Sequence, residues 1–325
     1  MGQKIYIALV GGQMMPVFLG VRKVQPDKIV LIHSDTSKKE AETIQKVFVD
    51  RSVLRCFHPV DYMAIRESAM VLLDEFSEGE IFINVTSETK PWTLAFTLLS
   101  QEKVHITLLY IDQNGVCYDC THYSQWEAEK DLDMTTLMQY NGQIPEHYSK
   151  LSDYMDKDLK ILKSVKKLHR RNTSDFNILT IPDKSWKRQL AGGNDGMRKI
   201  KSGSSIKWNR AKQTVHIELI NRHGIWSEYF CSPHVFQLVF NSGWFEYEIA
   251  MLLSRWQQAR EVWMNVIFPY RNSQPKNEID VVVNMGNKFL MVECKTPIFD
   301  NTDIDKFRTA VKNYGGMGCK ALFYY

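Results

Sequence analysis

The sequence predicts an α/β protein of two domains joined by a basic connector, and three observations predict it. The chain has 325 residues, well beyond the roughly 100–150 of an ordinary domain. From Lys4 to Asp112, short β-branched apolar runs alternate with segments of helical spacing. That alternation marks a parallel sheet covered on both faces. From Thr214 onward strands return, and they include a hairpin between Glu278 and Thr296.

Taken in order, strands are expected at 4–12, 28–35, 55–61, 80–87 and 103–112. Between them, 37–50, 61–76 and 91–100 carry apolar residues at helical spacing. This is a nucleotide-binding architecture of Rossmann type. The fingerprint GxGxxG is absent, and Gly11-Gly12 alone does not argue for a dinucleotide. Farther on, Leu159, Leu162, Val165 and Leu168 form a helical stripe whose other faces carry Lys160, Lys163, Lys166, Lys167, Arg170 and Arg171. Four glycines make 191–205 a loop. Helices are expected at 244–260 and 303–314. The resulting division is a first domain at 1–140, a connector at 141–212 and a second domain at 213–325.

Composition narrows the function classes. No stretch approaches the ~18 uninterrupted apolar residues of a membrane helix. Six cysteines in so long a chain are too few for a disulfide framework, so a reduced, cytoplasmic protein is expected. The net charge of +4 hides an asymmetry. Between Lys157 and Lys212 there are sixteen Lys or Arg against four Asp. A basic middle between acidic ends is a footprint for a phosphate backbone, or a solvated helix face. The Trp and Tyr residues scatter without a base-stacking pattern. Cys117 and Cys120 lack the second Cys pair that a zinc finger needs.

Two constellations carry chemistry. In NEIDVVVNMGNKFLMVECKTP (277–297), Gly286-Asn287 is a two-residue hairpin signal between apolar strands. If those residues are the loop, Met285 pairs with Lys288 and Asp280 lies opposite Glu293. Period-2 alternation then puts Lys295 on their face. Opposed carboxylates repel, and a divalent cation such as Mg²⁺ or Mn²⁺ is a natural compensator. The second constellation is NVTSETKPW (84–92), where a strand end opens a helix. Free backbone N–H groups and the helix dipole bind anions there. Thr86, Ser87 and Thr89 add hydroxyls, Lys90 a charge, and Pro91 suits the first turn.

Asp280 followed thirteen residues on by Glu293-Cys294-Lys295 resembles the PD-(D/E)XK nuclease signature, with Ile279 in place of the leading Pro. The resemblance implies a restriction-endonuclease-like fold. It also implies a metal held by Asp280, Glu293 and the Cys294 carbonyl, and a Lys295 that orients water. Such nucleases add an acidic residue from a preceding helix, and Glu246 in NSGWFEYEIAMLL (241–253) holds the matching position, with Glu248 competing.

Asn-x-Thr-x-x-Thr-Lys after the fourth strand resembles the CRISPR-associated Rossmann-fold (CARF) sensor domains, with Ser87 and Glu88 where the family has two Gly. That resemblance implies a homodimer that binds cyclic oligoadenylate across its axis, touching Gly12, Gln13 and Met14 as well as 86–90. Together the two resemble the ancillary nucleases of type III CRISPR systems. The expectation is an endonuclease gated by cyclic tetra-adenylate and cutting DNA and/or RNA. Two other readings are a nucleotide-sensing transcription regulator with an inert nuclease fold, and a sensor domain that opens its own cyclic ligand.

Overall fold

A computed structural model describes residues 2–87, 89–103, 105–127, 131–181, 183, 186, 190, 193–270, 277–295, 301–316 and 318–325. The chain divides into two compact units. The first comprises Met1–Pro145, Asn284–Leu290 and Ala310–Lys320. The second comprises Glu146–Val283, Met291–Thr309 and Ala321–Tyr325.

The first unit is built on β1 (Lys4–Leu9), α1 (Met15–Val24), β2 (Lys28–His33), α2 (Lys38–Val47), β3 (Ser52–Cys56), α3 (Tyr62–Glu75), β4 (Glu80–Asn84), α4 (Lys90–Gln101) and β5 (Ile106–Ile111). Then follow β6 (Cys117–Asp119), β7 (Ser124–Trp126) and α5 (Met134–Tyr140). The sheet runs β3-β2-β1-β4-β5-β6-β7. The first five strands pair in parallel and the last two antiparallel. β1, β2 and β4 are buried along almost their whole length, as strands covered on both faces must be.

Two elements differ from expectation. Helix α1 is not legible in the sequence, because Met15 to Val21 are buried on every side and offer no polar face whose period could be read. The third strand is Ser52–Cys56 rather than 55–61. Beyond it Asp61 caps α3, its Oδ1 accepting from the N–H of Met63 at 3.0 Å and of Ala64 at 3.3 Å.

The second unit holds β8 (His147–Lys150), α6 (Asp156–Arg171), α7 (Thr173–Thr180), β9 (Asp195–Lys199), β10 (Ser205–Asn209), β11 (Thr214–Asn221) and β12 (Gly224–Cys231). These are followed by helices Val235–Val239 and Gly243–Leu253 and by β13 (Glu261–Ile267), while β14 (Glu278–Asn284), β15 (Phe289–Cys294), the helix Asn301–Tyr314 and β16 (Lys320–Tyr324) each have residues in both units. One sheet runs β12-β11-β10-β9, and another β16-β15-β14-β13-β8.

Within 191–205, read as loop, the described residues instead carry β9. Glycine serves packing there: a Cβ on Gly196 would lie 2.2 Å from the Trp208 ring, so only a bare backbone passes under it. The helix expected to reach 260 ends at Leu253. Past it Ser254 Oγ bonds the Met251 carbonyl at 2.9 Å, competing with helical continuation.

Candidate functional site

In the first unit β1 lies between β2 and β4, so the strand order reverses at β1 and β4. Open α/β sheets bind ligands outside the strand carboxyl ends at such a switch point. Residues 12–14 follow one of those ends, and Thr86 and Ser87 follow the other. Asn84, almost fully buried, braces them. Its Nδ2 donates to Tyr6 Oη at 2.8 Å and to the Pro16 carbonyl at 3.0 Å, and its Oδ1 accepts from Thr86 N–H at 3.0 Å. Burial pushes the Tyr6 phenol well up despite its bond to Asn84, so Tyr6 stays neutral.

The candidate residues divide by environment. Gly12, Gln13, Thr89 and Lys90 are exposed, and Lys90 is the first residue of α4. Ser87 Oγ is shielded from solvent and has no hydrogen-bond partner among the described residues. Thr86 Oγ1 accepts from Ile111 N–H at 2.8 Å, which ties it to β5. Met14 is buried, and its carbonyl accepts from Val17 N–H at 2.9 Å at the start of α1. Glu88 lies outside the described residues.

In the second unit a cleft of about 610 Å³ is lined by Glu246, Asp280, Cys294 and Lys295 among others. The hairpin turns at Gly286, whose φ of 99° suits glycine. Met285 N–H bonds the Lys288 carbonyl at 2.9 Å, closing the two-residue loop. Continued along β14 and β15, that register sets Asp280 opposite Glu293 in a pair without mutual backbone bonds, the closer kind. Asp280 is 7% exposed and Glu293 2%. Asp280 Oδ2 accepts from Cys294 N–H at 2.7 Å, and Lys295 Nζ sits 2.8 Å from Glu293 Oε1. The opposed carboxylates thus have compensation within the chain.

Burial pulls the Lys295 amine down, but the hydrogen bond to Glu293 and the charges of Glu293, Asp280 and Asp303 outweigh it, holding Lys295 above its ordinary 10.5. Lys295 is therefore a cation at neutral pH, suited to orienting water and stabilising negative charge rather than taking a proton. Any activity it supports should not decline on the alkaline side before the ordinary lysine range. A pH–rate profile whose alkaline limb, absent from Lys295→Arg, lies near neutrality would contradict this. The sign for stability is the same: a lysine raised on folding favours the folded state below its ordinary value. That support is lost as pH climbs through the raised one.

The structure separates the two acidic candidates on the helix Gly243–Leu253. Glu246 lines the cleft, whereas Glu248 pairs with Lys166. Several cleft residues escaped sequence reasoning. Asn241 and Ser242 hold left-handed φ values of 54° and 65° just before that helix. Asn265 has φ 50° within β13, beside a register shift between Met264 and Ile267. Non-glycine residues in that region store strain, and they cluster where a site demands it. The only prior signal was an Asn inside the apolar run VWMNVIF. Arg210, in the turn after β10, also reaches the cleft.

The donor set suits Mg²⁺ or Mn²⁺ in one specific way. No group of three or more His, Cys, Asp or Glu able to hold a metal occurs among the described residues. Mg²⁺ is ordinarily held by one or two carboxylates with waters and substrate phosphates completing its shell, and Asp280 with Glu293 fits that pattern.

Elsewhere in this unit, Lys163, Lys166, Lys167, Arg170 and Arg171 of α6 line one groove of about 490 Å³.

Residues 5–139 match the Card1 CARF domain family. No curated protein matches the chain. Among solved structures, the chain is similar to Can2 from Sulfobacillus thermosulfidooxidans in complex with cyclic tetra-adenylate, with TM-score 0.66 and 18% identity, covering 98% of this chain and 89% of that one. It is also similar to protein VC1899 from Vibrio cholerae, with TM-score 0.72 and 12% identity, covering 98% and 88%. At these identities the likeness is one of fold.

Proposed function

We propose that the chain is a metal-dependent endonuclease of type III CRISPR defence, switched on by cyclic tetra-adenylate and cutting DNA and/or RNA without sequence preference. The observation that carries this reading is the cleft where Glu246, Asp280 and Lys295 meet, in a chain whose residues 5–139 match a CARF family. Asp280, Glu293 and the Cys294 carbonyl would hold the cation, with Glu246 completing the acidic set. When bound, it neutralises charge on the phosphate and acidifies water. Lys295, kept charged by Glu293, orients the attacking water. Arg210 draws phosphate into the cleft.

The ligand would sit at the carboxyl ends of β1 and β4. Lys90 and the N-terminus of α4 supply positive potential, and Ser87 Oγ supplies an uncommitted hydroxyl. Leu94 and Leu98 are exposed one turn apart on α4, which supports a homodimer built on this helix. The deciding experiment is a panel of cyclic oligoadenylates against single- and double-stranded DNA and RNA with Mg²⁺ or Mn²⁺. Absence of cleavage throughout overturns the reading.

The cationic groove of α6 supports a track for the phosphate backbone. Replacing Lys163, Lys167, Arg170 and Arg171 with Gln should flatten the salt dependence of binding, since each neutralised phosphate releases about 0.9 counterions on duplex DNA and 0.7 on a single strand. Lys166 is spared to keep its pair with Glu248. An unaltered slope moves the substrate path off α6.

A further inference from the structure

We propose that the open face of the sheet β9–β12 is a stacking platform for single-stranded nucleic acid, centred on Tyr229 and His216. The proposal rests on the nuclease reading for its biological substrate, but its evidence is separate. Across the sheet, Met197 pairs with Lys207, Lys207 with His216, and His216 with Tyr229, so the four side chains form one row on one face. On the opposite face Ile206, Trp208, Val215, Ile217 and Phe230 are buried. The row itself is open: Met197 is 51% exposed and Tyr229 65%.

An antiparallel sheet with one wet face ordinarily shows polar residues there. This one shows an exposed aromatic ring, an imidazole, a thioether and an ammonium. The rings of His216 and Tyr229 lie 6.5 Å apart, and His216 Nε2 is held by Ser227 Oγ at 2.7 Å, which fixes the imidazole. A ring pair beside a lysine matches what an unpaired strand offers, namely base faces alternating with phosphates. A duplex hides its base faces in its own stack and has no use for Tyr229.

Charge selects the occupant. The strands of the open face are balanced, Lys199 and Lys207 against Asp195 and Glu218, but the turns add Lys201 and Arg222 at one end and Arg210 and Lys212 at the other, so a polyanion laid along the sheet finds cations at both ends. The turn after β10 brings Arg210 to the cleft of Asp280 and Lys295, so a strand on the platform has a short path to the chemistry. No sequence pattern announces the row, because its members are scattered from 197 to 229 and only strand pairing aligns them.

The test uses the full chain in EDTA, so that binding is read without cleavage. Fluorescence anisotropy compares labelled oligouridylate, oligothymidylate and a DNA duplex of equal length. Tyr229→Ala should weaken both single strands about ten-fold and leave the duplex unchanged, and Tyr229→Trp should restore binding. Unchanged single-strand affinity overturns the proposal. So does an equal loss on the duplex, or a loss that Trp does not rescue. A fall in solution mass for Tyr229→Ala would make the face a contact between copies and overturn it likewise. The two readings fail separately. No cleavage by the wild type with Mg²⁺ or Mn²⁺ overturns the nuclease and leaves a Tyr229-dependent binding result standing. Intact cleavage with binding indifferent to Tyr229 overturns the platform alone.

Discussion

Glu293→Gln is expected to lower divalent-dependent cleavage by about a hundred-fold or more, since losing a metal-holding carboxylate removes roughly 3 kcal/mol of transition-state stabilisation. Glutamine keeps the shape and removes the charge. The same change frees Lys295 from the partner that holds its proton, so the alkaline limb of residual activity should move to lower pH. Melting without metal should change little, because relief of the repulsion with Asp280 offsets the lost ion pair at 2.8 Å. Cleavage by this variant at the wild-type rate would remove Glu293 from the site.

Lys90→Ala should shift activation to about ten-fold higher cyclic tetra-adenylate, the scale of one charge-assisted hydrogen bond, with the maximal rate preserved. Lys90 is exposed at the first residue of α4, where its charge adds to the positive end of the helix dipole, so its removal should cost the fold little. The reading predicts that ligand raises the melting temperature of the wild type at a concentration where it no longer does so for the variant. A wild-type enzyme fully active without ligand would end the idea of a switch.

Period and turn chemistry made much of this protein legible from the sequence. Four of the five parallel strands announce themselves because strands buried on both faces are continuous apolar runs; β3, half-buried at the sheet edge, does not, and the sequence placed it at 55–61. The hairpin does so because Gly286-Asn287 admits a tight turn and period-2 alternation then dictates which side chains share a face. Asp280, Glu293 and Lys295 are therefore readable as one group before any coordinates. The basic stripe of α6 is readable for the same reason, through period 3.6.

What only the tertiary structure decided are the matters of partners. Alternation sets Asp280 against Glu293, but the sequence is silent on what balances them; the fold answers with the Cys294 N–H and the Lys295 ammonium. Glu246 and Glu248 are equal candidates along the chain. Packing of α6 commits Glu248 to Lys166 and leaves Glu246 on the cleft. Helix α1, in which every residue from Met15 to Val21 is buried, carries no period to read, and β9 is a strand only because β10 pairs with it and Trp208 covers Gly196. Local spacing encodes faces. Which faces meet is a property of contacts between residues far apart in the chain, and no short window of sequence contains it.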